Sequence, residues 1–459
     1  MSNLVETLKQ RRQRLAQHFS APVLLWSGRS PARNFPANTY PFRASSHFLY
    51  FAGLPLEGGV IYLDAGRLHL FMDAPGPASA LWHGESPSPG AIAQQIGADG
   101  VHPLAELRAW ATDAATIPAV DPTVRQTQAE CLGRELPPPS SLKGRDRALA
   151  EAIIALRLTH DPMAVAEIRQ AIAVTIEAHL AGMRATATAK TEAQVRGAIE
   201  GVMIAHQLTP AYTSIVTTQG EVLHNGRSPH LLHGGDLLLV DAGAETEMGW
   251  AADVTRTFPV SGRFLPSQRA IYDVVLAAHD ACITAICPGV EYRDIHLLGA
   301  KVLTEGLVDL GILRGNPSDL VEQDVHALFF PHGIGHLLGL DVHDMEDLGD
   351  LAGYAPHRQR SDRFGLRYLR LDRPLQAGMV VTIEPGFYQV PALLGDYQQR
   401  DRYRAQVNWE RLAEFVDVRG IRIEDDVLVT ATGAEVLSAA LPTQASAIEQ
   451  LLQAGASSL

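Results

Sequence analysis

The chain has 459 residues and a formal charge of −13, and 46% of its residues are hydrophobic, as in ordinary globular proteins. Its length predicts two or three domains rather than one core. We find no run of 18 apolar residues and no secretory leader pattern, so we expect no membrane association. The acidic charge disfavours a nucleic-acid partner. Three cysteines without a CxxC pair fit a reducing compartment, so we expect a cytoplasmic protein.

The first third of the chain alternates short apolar runs with turn residues. These runs predict a helix followed by three strands, at residues 6–19, 22–26, 59–63 and 68–72. A proline-rich stretch at residues 136–142 predicts a loop, and the helix predicted after it at residues 146–159 could connect two domains. We therefore expect a smaller α/β N-terminal domain in residues 1–158.

The remaining residues, 159–459, change from helical to strand patterns and back. The predicted helices are at 162–187, 191–207, 267–287 and 292–310. The predicted strands are at 236–241, 250–258, 380–384 and 420–424, and the first two of these form a hairpin. Helices combined with antiparallel strands predict an α+β domain.

Four acidic residues lie in or at the ends of predicted apolar strands: Asp241, Asp253, Glu384 and Glu424. A buried carboxylate is costly unless it is paired or binds a metal. Asp241 or Asp253 alone could instead end a strand and accept turn hydrogen bonds, and Glu424 alone could form a surface ion pair with Arg422. Glu384 fits such a role less well, because the Pro385-Gly386 turn after it could fix the direction of its carboxylate. Strand alternation places Arg422 and Glu424 on one face, so Arg422 could hold a neighbouring carboxylate.

Three histidines, His332, His336 and His343, fall within twelve residues and alternate with glycines. Glycine permits tight turns and a close approach to a ligand. A single histidine is more often structural, but three beside strand-end acids indicate a functional cluster. The segment is not the helical HExxH zinc signature. Four carboxylates balance two divalent cations, and an oxygen-rich set with one imidazole favours manganese, with cobalt, iron or zinc as alternatives.

Five segments in order resemble the pita-bread metallopeptidases, a family that contains methionine aminopeptidase, aminopeptidase P and prolidase. The matching segments are Leu239–Gly243, Ala252–Phe258, His332–His336, Thr382–Gly386 and Gly420–Asp425. Upstream, residues 40–53 and 81–84 resemble the N-terminal domain of the proline-specific branch. The resemblance implies a pita-bread catalytic domain in residues 159–459 that hydrolyses peptides with two divalent ions, through a hydroxide shared by both.

The resemblance also implies roles for individual residues. Its metal ligands correspond to Asp241, Asp253, His336, Glu384 and Glu424, with Asp253 and Glu424 bridging the two ions. The implied catalytic residues are Glu384 as proton shuttle, with His332, His343 and Arg422. The implied substrate-binding residues are His224, Arg370, Tyr212 and Trp82.

Within the proline-specific branch, the segment around Arg370 resembles prolidases, in which an arginine binds the free carboxylate of proline. We therefore expect an Xaa-Pro dipeptidase that acts on small peptides. The alternatives are an aminopeptidase P acting on longer peptides, which the N-terminal segment fits equally well, and a metal-free binding protein. The family implies a homodimer, in which Trp82 would reach the partner's site.

One departure concerns the two aspartates, which lie twelve residues apart instead of the usual eleven. We place the extra residue in the loop between Glu245 and Gly249, where an insertion costs little. An insertion within a strand would instead turn one aspartate away from the site.

Overall fold

A computed structural model describes residues 2–76 and 79–457. The chain forms two compact units. The first contains residues 1–163 together with 247–249 and 345–352, and the second contains 164–246, 250–344 and 353–459. The sequence placed one boundary after residue 158. It did not assign the two short segments to the first unit, because their contacts are with residues far away in the chain.

The first unit is built around a five-stranded sheet with helices beside it. Its strands are β1 (Val23–Trp26), β2 (Ala32–Phe35), β3 (Asn38–Thr39), β4 (Val60–Asp64), β5 (Arg67–Phe71), β6 (Gly100–His102) and β7 (Ala115–Thr116). The sheet order is β6-β5-β4-β1-β7, while β2 and β3 form a separate hairpin. Its helices are α1 (Ser2–His18), α2 (Ser46–Ala52), α3 (Ser79–His83), α4 (Pro89–Ile96), α5 (Leu107–Trp110), α6 (Pro122–Leu132) and α7 (Gly144–Arg157).

The second unit begins within α8 and continues to the C-terminus. Its helices are α8 (Pro162–Thr186), α9 (Glu192–Ala205), α10 (Pro266–Ala285), α11 (Tyr292–Asp309), α12 (Pro317–Glu322), α14 (Pro391–Leu394), α15 (Tyr397–Arg402), α16 (Trp409–Ala413) and α17 (Ala445–Ser457). Helix α13 (Asp350–Gly353) lies between α12 and α14 in the chain, and most of it belongs to the first unit. Short 3-10 turns cover Leu104–Glu106, Pro139–Ser141, Val325–Leu328 and Glu346–Leu348 along the whole chain.

The strands of the second unit form small antiparallel sheets. They are β8 (Thr209–Pro210), β9 (Ile215–Thr217), β10 (Leu237–Ala242), β11 (Ala244–Glu245), β12 (Val254–Pro259), β13 (Val380–Ile383), β14 (Gly386–Tyr388), β15 (Gly420–Arg422), β16 (Asp425–Val429) and β17 (Ala434–Val436). Two of these sheets have three strands, in the orders β12-β10-β9 and β13-β16-β17. Two more have two strands each, β11-β8 and β14-β15.

Local chemistry explains where several helices begin. The side chain of Thr191 accepts a hydrogen bond from the backbone of Gln194 and so caps α9. Proline at the first position of α10 lacks an N–H that would be unpaired there anyway. Helices α10 and α11 pack against each other. Each carries buried residues, such as Val275 and Leu303, and full burial of such a side chain contributes roughly 1.5–3 kcal/mol.

Two predicted strands end differently in the structure. The strand predicted at residues 250–258 begins only at Val254, so Asp253 precedes the strand instead of lying within it. The strand predicted at residues 420–424 ends at Arg422, and β16 begins at Asp425. Among the described residues, no helix combines the length and the apolar character that crossing a bilayer requires.

Candidate metal and peptide site

The two aspartates of the hairpin face the same side. Strands β10 and β12 pair so that Asp241 lies opposite Thr255, two residues beyond Asp253. The same register continues outwards, where the Thr246 N–H donates to the Trp250 carbonyl at 2.9 Å. The twelve-residue spacing is therefore absorbed at the tip, residues 247–249, as the sequence predicted. Because side chains alternate along a strand, an unbroken register keeps both carboxylates on one face.

A glycine-containing segment carries His336 alongside β13. The Thr382 N–H donates to the His336 carbonyl at 3.0 Å, and the Glu384 N–H donates to the Ile334 carbonyl at 2.8 Å. This backbone ladder holds the imidazole beside the carboxylate of Glu384, and the His336 Nε2 lies 3.7 Å from Glu384 Oε1. The same Nε2 lies 3.4 Å from Asp253 Oδ2.

Glu424 enters the site from the turn between β15 and β16. Its N–H donates to the Thr255 carbonyl at 3.1 Å, and the Thr255 hydroxyl donates to Glu424 Oε2 at 2.6 Å. The potential ligand atoms of Asp253, His336 and Glu424 all lie within 4.8 Å of one another. The Tyr212 hydroxyl lies 2.5 Å from both Asp241 Oδ1 and Asp253 Oδ1. All five residues predicted as metal ligands thus converge.

Burial sets the electrostatics of this cluster. Removal from water, and after it the charge of Asp241, raise the pKa of Asp253 to about 7. Burial likewise raises the pKa of Glu384 to about 7 and that of Glu424 well above its ordinary value. Several carboxylates that share one buried space repel one another, and divalent cations would relieve that repulsion.

The histidine of the cluster presents the correct nitrogen for a metal. The His336 Nδ1 lies 3.0 Å from the Leu337 carbonyl, which can only accept, so Nδ1 carries the proton. Nε2 then offers its lone pair towards the carboxylates. A ligand histidine fixed through its other nitrogen is the usual arrangement at protein metal sites, so this residue set fits a metal.

A buried arginine borders the acids on one side. Arg422 donates to the Thr255 hydroxyl and to the Tyr388 hydroxyl, each at 3.1 Å, and to Asp241 Oδ2. Its Nε lies 3.9 Å from Glu424 Oε2. Arg422 is only 4% exposed, which excludes the surface ion pair considered from the sequence.

His332 belongs to the same network and is uncharged. Its Nδ1–H donates to the Gly333 carbonyl at 2.7 Å, and its Nε2 lies 2.9 Å from the Tyr388 hydroxyl. Burial, and after it the nearby charge of Arg422, lower the pKa of His332 to about 3. Tyr388 therefore accepts a hydrogen bond from Arg422 and donates one to His332.

The five candidate metal ligands, His332 and Arg422 line a cavity of about 330 Å³. The predicted substrate residues His224 and Arg370 and the predicted catalytic residue His343 also line it, whereas Tyr212 contacts the two aspartates without lining the cavity. The ring of His343 lies 4.2 Å from that of His336, centroid to centroid. Trp82 belongs to α3 of the first unit and is 76% exposed, and its predicted contact with substrate stays a prediction.

The sequence reading missed several residues at this site. Tyr388, and the cavity-lining residues Arg360 and Tyr368, were not singled out. A signal existed for Tyr388, because it is a hydroxyl-bearing residue in a buried strand that begins two residues after Glu384. Arg360 and Tyr368 lie in a segment without regular periodicity, where sequence patterns do not indicate which side chain faces a cavity.

Most of the chain matches protein families that are already known. The model of metallopeptidase family M24 matches residues 166–431. The chain belongs to metallopeptidase family M24. Residues 8–117 of the same chain match a second family model, that of the aminopeptidase P N-terminal domain. The predicted combination of a pita-bread catalytic domain and a smaller N-terminal domain is thereby confirmed.

Relatives within family M24 extend over most of the chain. A probable Xaa-Pro aminopeptidase of Fusarium vanettenii is 33% identical over 411 residues, covering 87% of this chain and 84% of its own. Another, from Penicillium rubens, is 33% identical over 428 residues, covering 90% and 88%. These relatives are named aminopeptidases, which favours the aminopeptidase P branch over the prolidase branch that the sequence reading preferred.

Two solved structures resemble this chain over nearly its whole length. The Pseudomonas aeruginosa aminopeptidase PepP has a TM-score of 0.80 at 28% identity, covering 99% of both chains. Aminopeptidase P from E. coli with the inhibitor Pro-Leu has a TM-score of 0.78 at 28% identity, covering 98% of both chains.

Proposed function

We propose that this metallopeptidase removes the N-terminal residue from peptides in which proline is second, as an Xaa-Pro aminopeptidase. The observation that carries the proposal is the convergence of three buried carboxylates, one partly exposed carboxylate and one imidazole beside a cavity of about 330 Å³. The names of its relatives support the same substrate class. Retention of all five candidate ligands argues for an enzyme and against the metal-free binding protein.

The ligand set for two divalent ions would be Asp241, Asp253, His336, Glu384 and Glu424, and manganese suits its many oxygens. When bound, such ions polarise the scissile carbonyl and lower the pKa of an attacking water. A homodimer and a cytoplasmic location stay predictions.

The protein's own residues would supply proton transfer and charge stabilisation. Glu384 lines the cavity beside His336, where a carboxylate can act as general base and then as general acid. It would carry the proton from water to the leaving proline nitrogen. Neutral His332 already donates its one N–H to the Gly333 carbonyl and accepts from Tyr388, so stabilisation of developing negative charge would fall to His343, which also lines the cavity.

Proline selectivity follows from the chemistry of the bond. The imide nitrogen has no N–H, so an enzyme for this bond cannot hold its substrate through that donor. A side-chain cavity must hold the ring instead. His224, His343 and Tyr368 line the cavity and would contact the substrate on either side of the bond.

One observation favours a dipeptidase as the second candidate. Arg370 lines the cavity, and its backbone lies next to Gly333 in the histidine segment. A guanidinium binds a carboxylate through two hydrogen bonds, and a free carboxylate follows proline directly only in a dipeptide.

Hydrolysis of Ala-Pro-Ala and Ala-Pro, with and without manganese, tests both candidates. We expect activity to disappear with a chelator and return with manganese, and a higher kcat/KM for the tripeptide. Preference for Ala-Pro would replace the aminopeptidase proposal with the dipeptidase. Equal activity in chelator would overturn both candidates.

The Arg370→Gln variant refines this test. If Arg370 binds the proline carboxylate, kcat/KM for Ala-Pro should fall by roughly 10- to 100-fold, the value of a hydrogen bond to a charged group, while Ala-Pro-Ala changes less. Arg363→Gln is the control, because the Arg363 guanidinium pairs with Asp324 at 2.8 Å and Arg363 is not a cavity-lining residue.

A further inference from the structure

The first unit contains a second cavity, of about 390 Å³, between its sheet and two helices. Its floor is apolar and buried: Trp26 ends β1, Val60 begins β4 as its partner in register, and Leu107 comes from α5. Pockets of this size with an apolar lining and few polar groups are typical of small-molecule sites. No role in the proposed peptide hydrolysis involves these residues.

Glycines keep the sheet side of this cavity open. The Gly58 N–H donates to the Gly28 carbonyl at 2.8 Å, and both residues have positive φ, of +72° and +98°. A Cβ at Gly28 would meet no atom within 4 Å, so the space beside it is empty. A Cβ at Gly58 would meet only the guanidinium of Arg29, at 3.7 Å. The backbone here leaves room for a ligand.

Charges of both signs surround the apolar floor. Arg29 follows the β1 end, Arg108 lies on α5, and Glu130 lies on α6, and all three line the cavity. All three side chains are exposed to solvent, and among the described residues neither guanidinium has a hydrogen-bond or ion-pair partner. Two cations suit a carboxylate, and the nearby glutamate suits an ammonium group while repelling a phosphate.

We propose that this cavity binds a free α-amino acid with an apolar side chain. Arg29 and Arg108 would hold its carboxylate, Glu130 its ammonium group, and Trp26 would pack against its side chain. The proposal stands independently of the peptidase proposal, because it uses residues of the first unit only. An aminopeptidase releases free amino acids, and some of these are apolar. The cavity of the first unit would therefore bind a product of the candidate peptidase site.

Calorimetric titration of the full chain with L-leucine tests the site. We expect saturable binding that weakens by about tenfold or more in Arg29→Gln or Arg108→Gln, since each removes a charged contact. Arg67→Gln is the matched control, because Arg67 lies exposed on β5 outside the cavity. His336→Ala is the second control: it disrupts the candidate metal site and should leave leucine binding unchanged.

Two analogues examine the charge assignment. Leucinamide lacks the carboxylate and 4-methylpentanoate lacks the ammonium group, so both should bind about tenfold or more weakly than leucine. No heat with leucine, unchanged binding in both arginine variants, or loss of binding in His336→Ala would overturn the proposal. Equal binding of 4-methylpentanoate would overturn the amino-acid assignment. Melting curves for each variant separate lost binding from lost folding, and none of these outcomes bears on Ala-Pro-Ala hydrolysis.

Discussion

Asp253 and Glu384 show how one environment produces both metal affinity and proton-transfer chemistry. Each carboxylate is removed from water and faces other carboxylates, so its protonated form is favoured and its pKa rises to about 7. A metal ion must displace those protons to bind. The same residues therefore link metal binding, folding stability and pH.

The stability that these two acids contribute to the metal-free protein should fall as pH rises from about 4 to about 7. An acid whose pKa is raised by folding binds more protons in the folded state, and the stability that this contributes is lost as pH rises through the folded value. Bound manganese compensates the charges. The melting-temperature difference between manganese-loaded and chelated protein should therefore grow between pH 5 and pH 8.

The buried histidines outside the metal site titrate in both the loaded and the chelated protein. Their contribution to stability therefore drops out of the melting-temperature difference. Glu384→Gln removes one titrating ligand and should flatten the pH dependence, whereas Glu435→Gln, at an exposed ion pair with Arg169, should not. A metal-induced shift that stays constant or shrinks with rising pH would contradict the assignment of these acids as ligands.

At the scale of elements, the site depends on how closely the histidine segment approaches β13. A Cβ built on Gly335 would lie 2.1 Å from the Thr382 carbonyl oxygen and 2.3 Å from the Tyr292 hydroxyl. The Tyr292 hydroxyl donates to that same carbonyl at 2.6 Å. Only glycine at this position permits the ladder that carries His336.

Gly335→Ala should therefore lower metal content and destabilise the protein by roughly 1–3 kcal/mol, as overpacking does. The segment would have to leave β13, and His336 would move with it. Gly197→Ala on α9 is the matched control, because a Cβ there meets no atom within 4 Å and alanine favours helix. Metal analysis and denaturant unfolding measure both variants. Full metal content in Gly335→Ala would show that the close contact is dispensable.

Helices and strands with a clear pattern of apolar residues could be predicted from the sequence, whereas irregular segments could not. The β10 strand and the position of its terminal acid follow from an apolar run, Leu237–Val240. The turn that carries Glu424 between β15 and β16 does not, because a tertiary contact with Thr255 decides where the strand breaks. The five metal-ligand candidates could be selected from the sequence, whereas Tyr388 joined the site only through contacts with Arg422 and His332.

For the whole molecule, the first unit is completed by residues from the second half of the chain. His47 lies between Arg157 and Asp347: Arg157 Nη1 donates to His47 Nδ1 at 3.1 Å, and His47 Nε2 lies 3.0 Å from Asp347 Oδ2. A guanidinium only donates, so His47 Nδ1 accepts from Arg157 and Nε2 donates to Asp347. This chain of bonds joins residues 300 positions apart, and His47 is only 4% exposed.

His47→Gln should loosen the segment 345–352 without disturbing the candidate metal ligands. The substitution leaves Arg157 or Asp347 with an unsatisfied bond, which costs roughly 1–3 kcal/mol. Local opening of the segment should become easier by the same free energy, so its amide hydrogen exchange should accelerate roughly 5- to 100-fold. His18→Gln, at an exposed histidine on α1, is the control. Unchanged exchange in this segment would mean that its packing, and not the histidine, attaches it to the first unit.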